Sequence, residues 1–165
     1  MDAWLVGTGP SLDTYDWNDV VDGYIICINF AYKVVPRFNS LCVLDTHRIG
    51  LFSDLFDKGI PLYAMRARTL CKRHFNVKDT GYIIPGAGNS SSAVGLCVLW
   101  NMGFRRIHLV GFDSMHPEHP TCNHAENLIG LGCYKGDDMK LTGVLADSLR
   151  KVIAARPELE LIYES

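Results

Sequence analysis

The stretch Ala3-Trp4-Leu5-Val6-Gly7-Thr8-Gly9-Pro10-Ser11-Leu12 passes from a short apolar, β-prone run straight into a glycine-rich turn. A continuous apolar run of this length, without alternation, is the mark of a strand buried on both faces. Glycines just after it let the backbone turn tightly and approach a ligand, and free amides there can hold a phosphate. In open α/β sheets, ligands gather at the carboxyl ends of the strands, where this loop lies. The loop is neither a GxGxxG fingerprint nor a P-loop, because no Gly-Lys-Ser/Thr follows. A plain strand-to-helix turn therefore stands beside the phosphate loop as an equal alternative.

Outward from this stretch, the same pattern recurs. Further strands are expected at Tyr24 to Ile28, Leu41 to Leu44, Ile60 to Ala64, Tyr82 to Ile84, Ile107 to Val110 and Leu159 to Tyr163. The spacing predicts a helix from Ser90 to Met102, with Asn89 or Ser90 as N-cap and Gly103 as its stop. A second is predicted from Lys140 to Ala155, with Leu141, Val144, Leu145, Leu149, Val152 and Ile153 at helical spacing and Pro157 blocking extension. Strand alternating with helix implies an α/β fold: one Rossmann-like domain over 1–165, a mostly parallel sheet with helices on both faces and right-handed crossovers. The stretch 114–138 matches neither strand nor helix and reads as a lid or active-site loop, since long unstructured loops in compact domains are usually functional.

Composition sets the class. With 165 residues, 48% apolar and 21% charged, the chain has ordinary globular composition and room for one domain. At this size folding buries about two-thirds of the unfolded surface, enough for a core without staples. No apolar run approaches the roughly 18 residues of a membrane span. A formal charge of −2 gives no general attraction to nucleic acid or anionic membrane. The six cysteines form no CxxC pair, and Cys27, Cys42 and Cys97 sit inside apolar runs, so reduced thiols and a cytoplasmic setting are expected. The N-terminus lacks a charged leader with a long apolar stretch and cleavage site, so no signal peptide is expected.

Four further places carry chemistry. Gly86-Ala87-Gly88-Asn89-Ser90-Ser91-Ser92-Ala93 leads into the long helix, where unpaired amides and the helix dipole make an anion site. Capping needs only one of Asn89, Ser90 and Ser91, so ligand contact is favoured for the others. Asp113, after Gly111 and Phe112, ends a strand and can serve a ribose, a metal or a proton, or cap the next turn. Asp45 and Asn29 have the same placement and the same two readings. Within 114–138, His116, His119, Cys122 and His124, with Glu118 and Glu126, have a spacing open to zinc. Pro117 and Pro120 preclude a single helical face and no established finger matches, so general acid or base work by a histidine is favoured. Solvated loop histidines are the plain alternative for at least two of the three. The basic run Arg66, Arg68, Lys72, Arg73 and Lys78 reads as a solvated helix face or a contact for an anionic ligand or partner. Without interleaved aromatics it does not point to nucleic acid.

Taken in order, Gly7-Thr8-Gly9-Pro10-Ser11-Leu12, Cys27-Ile28-Asn29-Phe30, and Ser90-Ser91-Ser92-Ala93 through Leu99-Trp100-Asn101-Met102-Gly103 to Gly111-Phe112-Asp113 resemble a known group. The likeness is to the bacterial sialyltransferases of glycosyltransferase family 42. It extends equally to the wider set related to archaeal 6-hydroxymethylpterin diphosphokinase, many of them small phage proteins. The resemblance implies that Gly7, Gly9, Pro10 and Ser11 line the donor phosphate, with Thr8 among them in the loop and Asn29 on the ribose or phosphate. It implies that Ser90 or Ser91 meets the nucleotide, next to Gly88 and Asn89 of the loop read above as a ligand contact, and that Asp113 lies beside the reacting group. His124 would be the general base and Tyr134 would support the leaving phosphate. Thr8 stands where the sialyltransferases usually carry asparagine, and the lid is shorter.

The function expected is thus a nucleotide-dependent transferase, most of all glycosyl transfer from a CMP-sugar-like donor. The alternatives are an ATP-dependent diphosphokinase, needing Mg2+ at Asp45 and Asp113, and a nucleotide-binding protein without turnover. No tightly bound cofactor is expected. The expected partners are a nucleotide-type ligand and a second copy of the chain, since relatives in this group commonly assemble.

Overall fold

The computed structural model describes residues 1–20, 22–44, 46–64, 69–79, 90–115, 125–128 and 139–164. Among the described residues seven strands form one sheet: β1 (Ala3–Val6), β2 (Tyr24–Ile28), β3 (Ser40–Cys42), β4 (Pro61–Ala64), β5 (Asn76–Asp79), β6 (Arg106–Val110) and β7 (Glu160–Tyr163). Their order is β5-β4-β3-β2-β1-β6-β7, and every pairing is parallel. The α/β class and Rossmann-like architecture expected from the strand–helix alternation are therefore present.

The reason the strands read as unbroken apolar runs is visible in their two faces. Trp4, Val6, Ile25, Cys27, Leu41 and Val110 face one core, while Ala3, Leu5, Ile26, Ile28, Cys42 and Leu109 face another. Successive side chains point to opposite sides, so a strand between two cores is apolar at every position. The second core is closed by α3 (Ser91–Asn101) and α4 (Met139–Ala154). Every residue from Ala93 to Leu99 in α3 is buried. In α4, Leu149 and Val152 are buried as the spacing predicts, and Ile153 is partly buried; Leu141, Val144 and Leu145 lie outside the described side chains.

The first core is closed differently. α1 (Ser11–Thr14), α2 (Thr69–His74) and 3-10 turns at Asn29–Lys33 and Thr46–Leu55 cover it. Phe30 stacks on Phe52 with ring centroids 4.8 Å apart, joining the two turns over the sheet. None of these short covers has a helical period long enough to be seen in the sequence. The expected strand Tyr82 to Ile84 lies outside the described residues, as do Arg66 and Arg68 of the basic run; Lys72 and Arg73 lie exposed on α2, as a solvated helix face would place them, and Lys78 lies in β5. β5 is an edge strand whose Asn76 and Lys78 are exposed, so only its pairing with β4 reveals it. At the other edge, His108 stacks on Trp4 at 4.5 Å, and its Nδ1 lies 2.6 Å from Glu164, binding β1, β6 and the end of the chain together.

No helix among the described residues is long and apolar enough to cross a membrane. Cys27, Cys42, Cys71 and Cys97 are buried thiols. Burial pushes the Cys27 and Cys42 thiols up, well beyond the usual cysteine range. Since the thiolate is the reactive form, a raised value leaves less of it at any given pH. Alkylation at pH 8 followed by peptide mapping should leave both unmodified in the folded protein and label both in denaturant. Equal labelling rates in the two states would contradict this burial.

Candidate functional site

The sheet order reverses between β1 and β6. The chain winds outward from β1 to β5, then returns through α3 to place β6 on the other side of β1. In open α/β sheets ligands bind outside the carboxyl ends of the strands at such a reversal. Val6 pairs with Val110, so the loop from Gly7 to Ser11 and the loop from Gly111 to Asp113 start side by side.

These two loops are laced to each other. The Gly7 amide donates to the Val110 carbonyl at 2.8 Å and the Gly9 amide to the Gly111 carbonyl at 2.9 Å. The Gly111 amide donates to Ser11 Oγ at 2.9 Å, and that hydroxyl donates to Asp113 Oδ2 at 3.0 Å. The Ser11 amide donates to the same carboxylate, at 3.1 Å to Oδ1 and 3.2 Å to Oδ2. Asp113 thus caps the start of α1, whose own flanking residue Pro10 makes no side-chain cap. Of the readings open for Asp113, capping is what its bonds describe, although the turn it caps is 102 residues upstream.

The glycines are required by this lacing. A Cβ on Gly9 would overlap Asp113 Oδ2 and come within 2.8 Å of the Gly111 carbonyl oxygen. Gly111 itself has φ +72, a conformation side chains resist. The sequence alone suggests that Gly9→Val would leave a foldable sheet and disturb only a bound phosphate. The contacts correct this: the added carbon meets the protein itself.

The second cluster is partly described. Ser90 is buried and is the N-cap of α3: its hydroxyl accepts from the Ala93 amide at 3.4 Å, and its carbonyl accepts from Val94 at 3.0 Å. Ser91 joins α3 to the end of β3, its hydroxyl accepting from the Leu44 amide at 3.2 Å while its carbonyl accepts from Cys42 Sγ at 3.2 Å. Asn29 follows β2 directly and is half-buried, with φ +50, a left-handed conformation that asparagine tolerates better than most residues. Since Ile28 pairs with Cys42, Asn29 sits beside the β3 end that Ser91 holds.

The register therefore brings Gly7, Thr8, Gly9, Pro10, Ser11, Asn29, Ser90, Ser91 and Asp113 to one carboxyl edge of the sheet. Asp45, Gly88, Asn89, His124 and Tyr134 lie outside the described residues, as do His116, His119 and Cys122. Among the described residues no group of three or more His, Cys, Asp or Glu side chains could hold a metal ion.

One participant has no local sequence signal. Within the expected lid, Glu126–Leu128 forms a 3-10 turn, with Ala125 and Leu128 wholly buried. The Ala125 amide donates to the Thr8 carbonyl at 2.8 Å. The Glu126 amide donates to Asp13 Oδ2 at 2.6 Å, and the Asn127 amide to Asp13 Oδ1 at 3.4 Å. Ala125 and Leu128 of the stretch 114–138 are packed into the first core, while 116–124 and 129–138, where most of the expected lid or active-site loop falls, lie outside the described residues. Asp13 looks in the sequence like an ordinary acid in the first turn of its own helix.

Comparison with protein-family models, with curated proteins and with solved structures found no match to this chain.

Proposed function

We propose that the chain is a nucleotide-dependent transferase, with glycosyl transfer from a nucleotide-sugar, CMP-sugar-like donor as its reaction. The observation that supports this is the gathering of Asn29, Ser90, Ser91 and the two laced loops at the carboxyl edge where the sheet order reverses. The amides of Gly7, Gly9 and Ser11 are engaged within the fold, so the donor phosphate is assigned to the start of α3 instead. There Ser90 already serves the Ala93 amide, and the amides of Ser91 and Ser92 belong to the first turn, whose N–H groups have no acceptor within a helix. The Gly7–Ser11 loop then forms the wall of the pocket, and Asn29 takes the ribose.

In this reaction His124 takes the proton of the acceptor hydroxyl while that oxygen attacks the anomeric carbon. The bond from that carbon to the phosphate oxygen breaks, and the nucleotide departs with the electron pair. Tyr134 and the α3 amides stabilise the charge that develops on the leaving phosphate. The bonds of Asp113 to Ser11 favour glycosyl transfer over diphosphoryl transfer, which would need that carboxylate for Mg2+. They also favour a second reading, a nucleotide-binding protein without turnover, because Asp113 is occupied as a cap.

Thermal-shift screening with nucleotides and nucleotide sugars, with and without Mg2+, tests these readings. A saturating donor should raise Tm by roughly 5–10 °C, the effect of ligand at about 100 times its Kd on a domain this size. Product analysis with hydroxyl acceptors should then show transfer without Mg2+. Stabilisation without any product identifies the binding protein, Mg2+-dependent AMP release identifies the diphosphokinase, and no shift with any nucleotide removes all three.

A further inference from the structure

Buried polar side chains are held by partners nearly everywhere among the described residues. Ser11 bonds to Gly111 and Asp113, Ser90 to the Ala93 amide, and Arg156 to the Val152 carbonyl. Two buried hydroxyls, on Ser40 and Thr46, have no partner among the described residues. Ser40 Oγ is wholly enclosed, where no ligand reaches it. Thr46 is 6% exposed, yet its hydroxyl is not enclosed and keeps an opening to the surface. A hydroxyl largely withdrawn from water and given no protein acceptor costs free energy, which a ligand oxygen can offset.

The backbone of Thr46 is fixed on both sides. Its amide donates to the Leu44 carbonyl at 2.7 Å, a bond across one residue that folds the chain sharply beyond β3. Its carbonyl accepts from Cys71 Sγ at 3.8 Å, and the turn it begins carries Ile49 and Phe52 into the first core. The Leu44 amide donates to the hydroxyl of Ser91 in the first turn of α3 at 3.2 Å. Thr46 therefore stands two residues from the contact that joins β3 to the start of α3, at the carboxyl edge that also carries Asn29.

We propose that Thr46 is a binding residue for the ligand's phosphate, its hydroxyl donating to a phosphate oxygen held by the first-turn amides of α3. The inference rests on the reading above, which assigns the donor phosphate to the start of α3. A hydroxyl can give its proton to an anionic oxygen without carrying a charge of its own. Threonine is β-branched and this one is bonded at both backbone groups, so it loses little freedom when the ligand arrives.

The experiment uses the whole chain as wild type, Thr46→Val and Thr46→Ser, with CMP, AMP and pyrophosphate as probes in calorimetric titration. Valine keeps the branched shape and removes the hydroxyl, whereas serine keeps the hydroxyl. Affinity for the probe that binds should fall roughly tenfold in Thr46→Val, the effect of one hydrogen bond to a charged oxygen. It should stay within about threefold of wild type in Thr46→Ser. The Tm of ligand-free Thr46→Val should equal or exceed that of wild type, because the fold loses no bond. Unchanged affinity in Thr46→Val overturns the contact. A lower Tm together with weaker binding also overturns it, since the hydroxyl then serves the fold. Wild type that binds pyrophosphate and no nucleotide removes the transferase reading, while the same two substitutions still decide the phosphate contact. Wild type that binds none of the three removes both.

Discussion

Gly9→Ala is expected to lower the free energy of unfolding by about 3 kcal/mol, the upper part of the range for forcing an extra carbon into a packed site. The added Cβ would overlap the Asp113 carboxylate and press to within 2.8 Å of the Gly111 carbonyl oxygen. The first neighbour is a side chain already fixed by Ser11, and the second is backbone, so neither yields easily. Gly9→Val should be worse and give little soluble protein. A double-mutant cycle shows whether the carboxylate is the obstacle. In an Asp113→Ala background, Gly9→Ala should cost markedly less, because only the Gly111 carbonyl contact remains. Urea unfolding of the four proteins provides the numbers. Strict additivity would mean that the Asp113 contact does not constrain Gly9.

Asp113→Ala on its own is expected to cost about 2–3 kcal/mol, the range for removing a charged acceptor from partly buried donors. It leaves the Ser11 amide without its carboxylate and frees the Ser11 hydroxyl that holds the Gly111 amide. Asp113→Asn should recover part of the loss, since one oxygen can still accept from the Ser11 amide. The same pair separates structure from chemistry. Were Asp113 a proton donor or acceptor in turnover, Asn would abolish activity while nearly restoring stability. As a cap, it should restore activity and stability in parallel. Stability unchanged by Asp113→Ala would remove the lacing of the two loops as a structural feature.

Both expectations arise at the one place where the sheet order reverses. The glycine-rich turn after β1 presented two equal readings, phosphate loop or tight turn. Its amides proved to be engaged with the β6 loop and with Asp113, so the tight turn describes the loop's own bonding. For this reason the proposed reading assigns the donor phosphate to the start of α3, where Ser90 was already one of the two expected caps. In that proposal the Gly7–Ser11 loop is a wall of the pocket, whose glycines close one loop upon another.

What the sequence by itself determined were the features whose causes lie within a few residues. Continuous apolar runs marked β1 and β2, because a strand between two cores has no polar face to show. Ser90 and Gly103 marked the ends of α3, because capping joins neighbours three residues apart. Only the tertiary structure decided the features whose causes are distant. The bond from Ser11 to Asp113 spans 102 positions and exists because β1 and β6 pair in one register. Asp13 and the Glu126 amide lie 113 positions apart, and an aspartate in a first helical turn carries no mark of its partner. β5, with Val77 its single apolar residue, becomes a strand only when β4 presents an unpaired edge. Local patterns record how a residue meets its chain neighbours. The partners that complete a hydrogen bond across the sheet are fixed by strand order and register, which single residues do not encode.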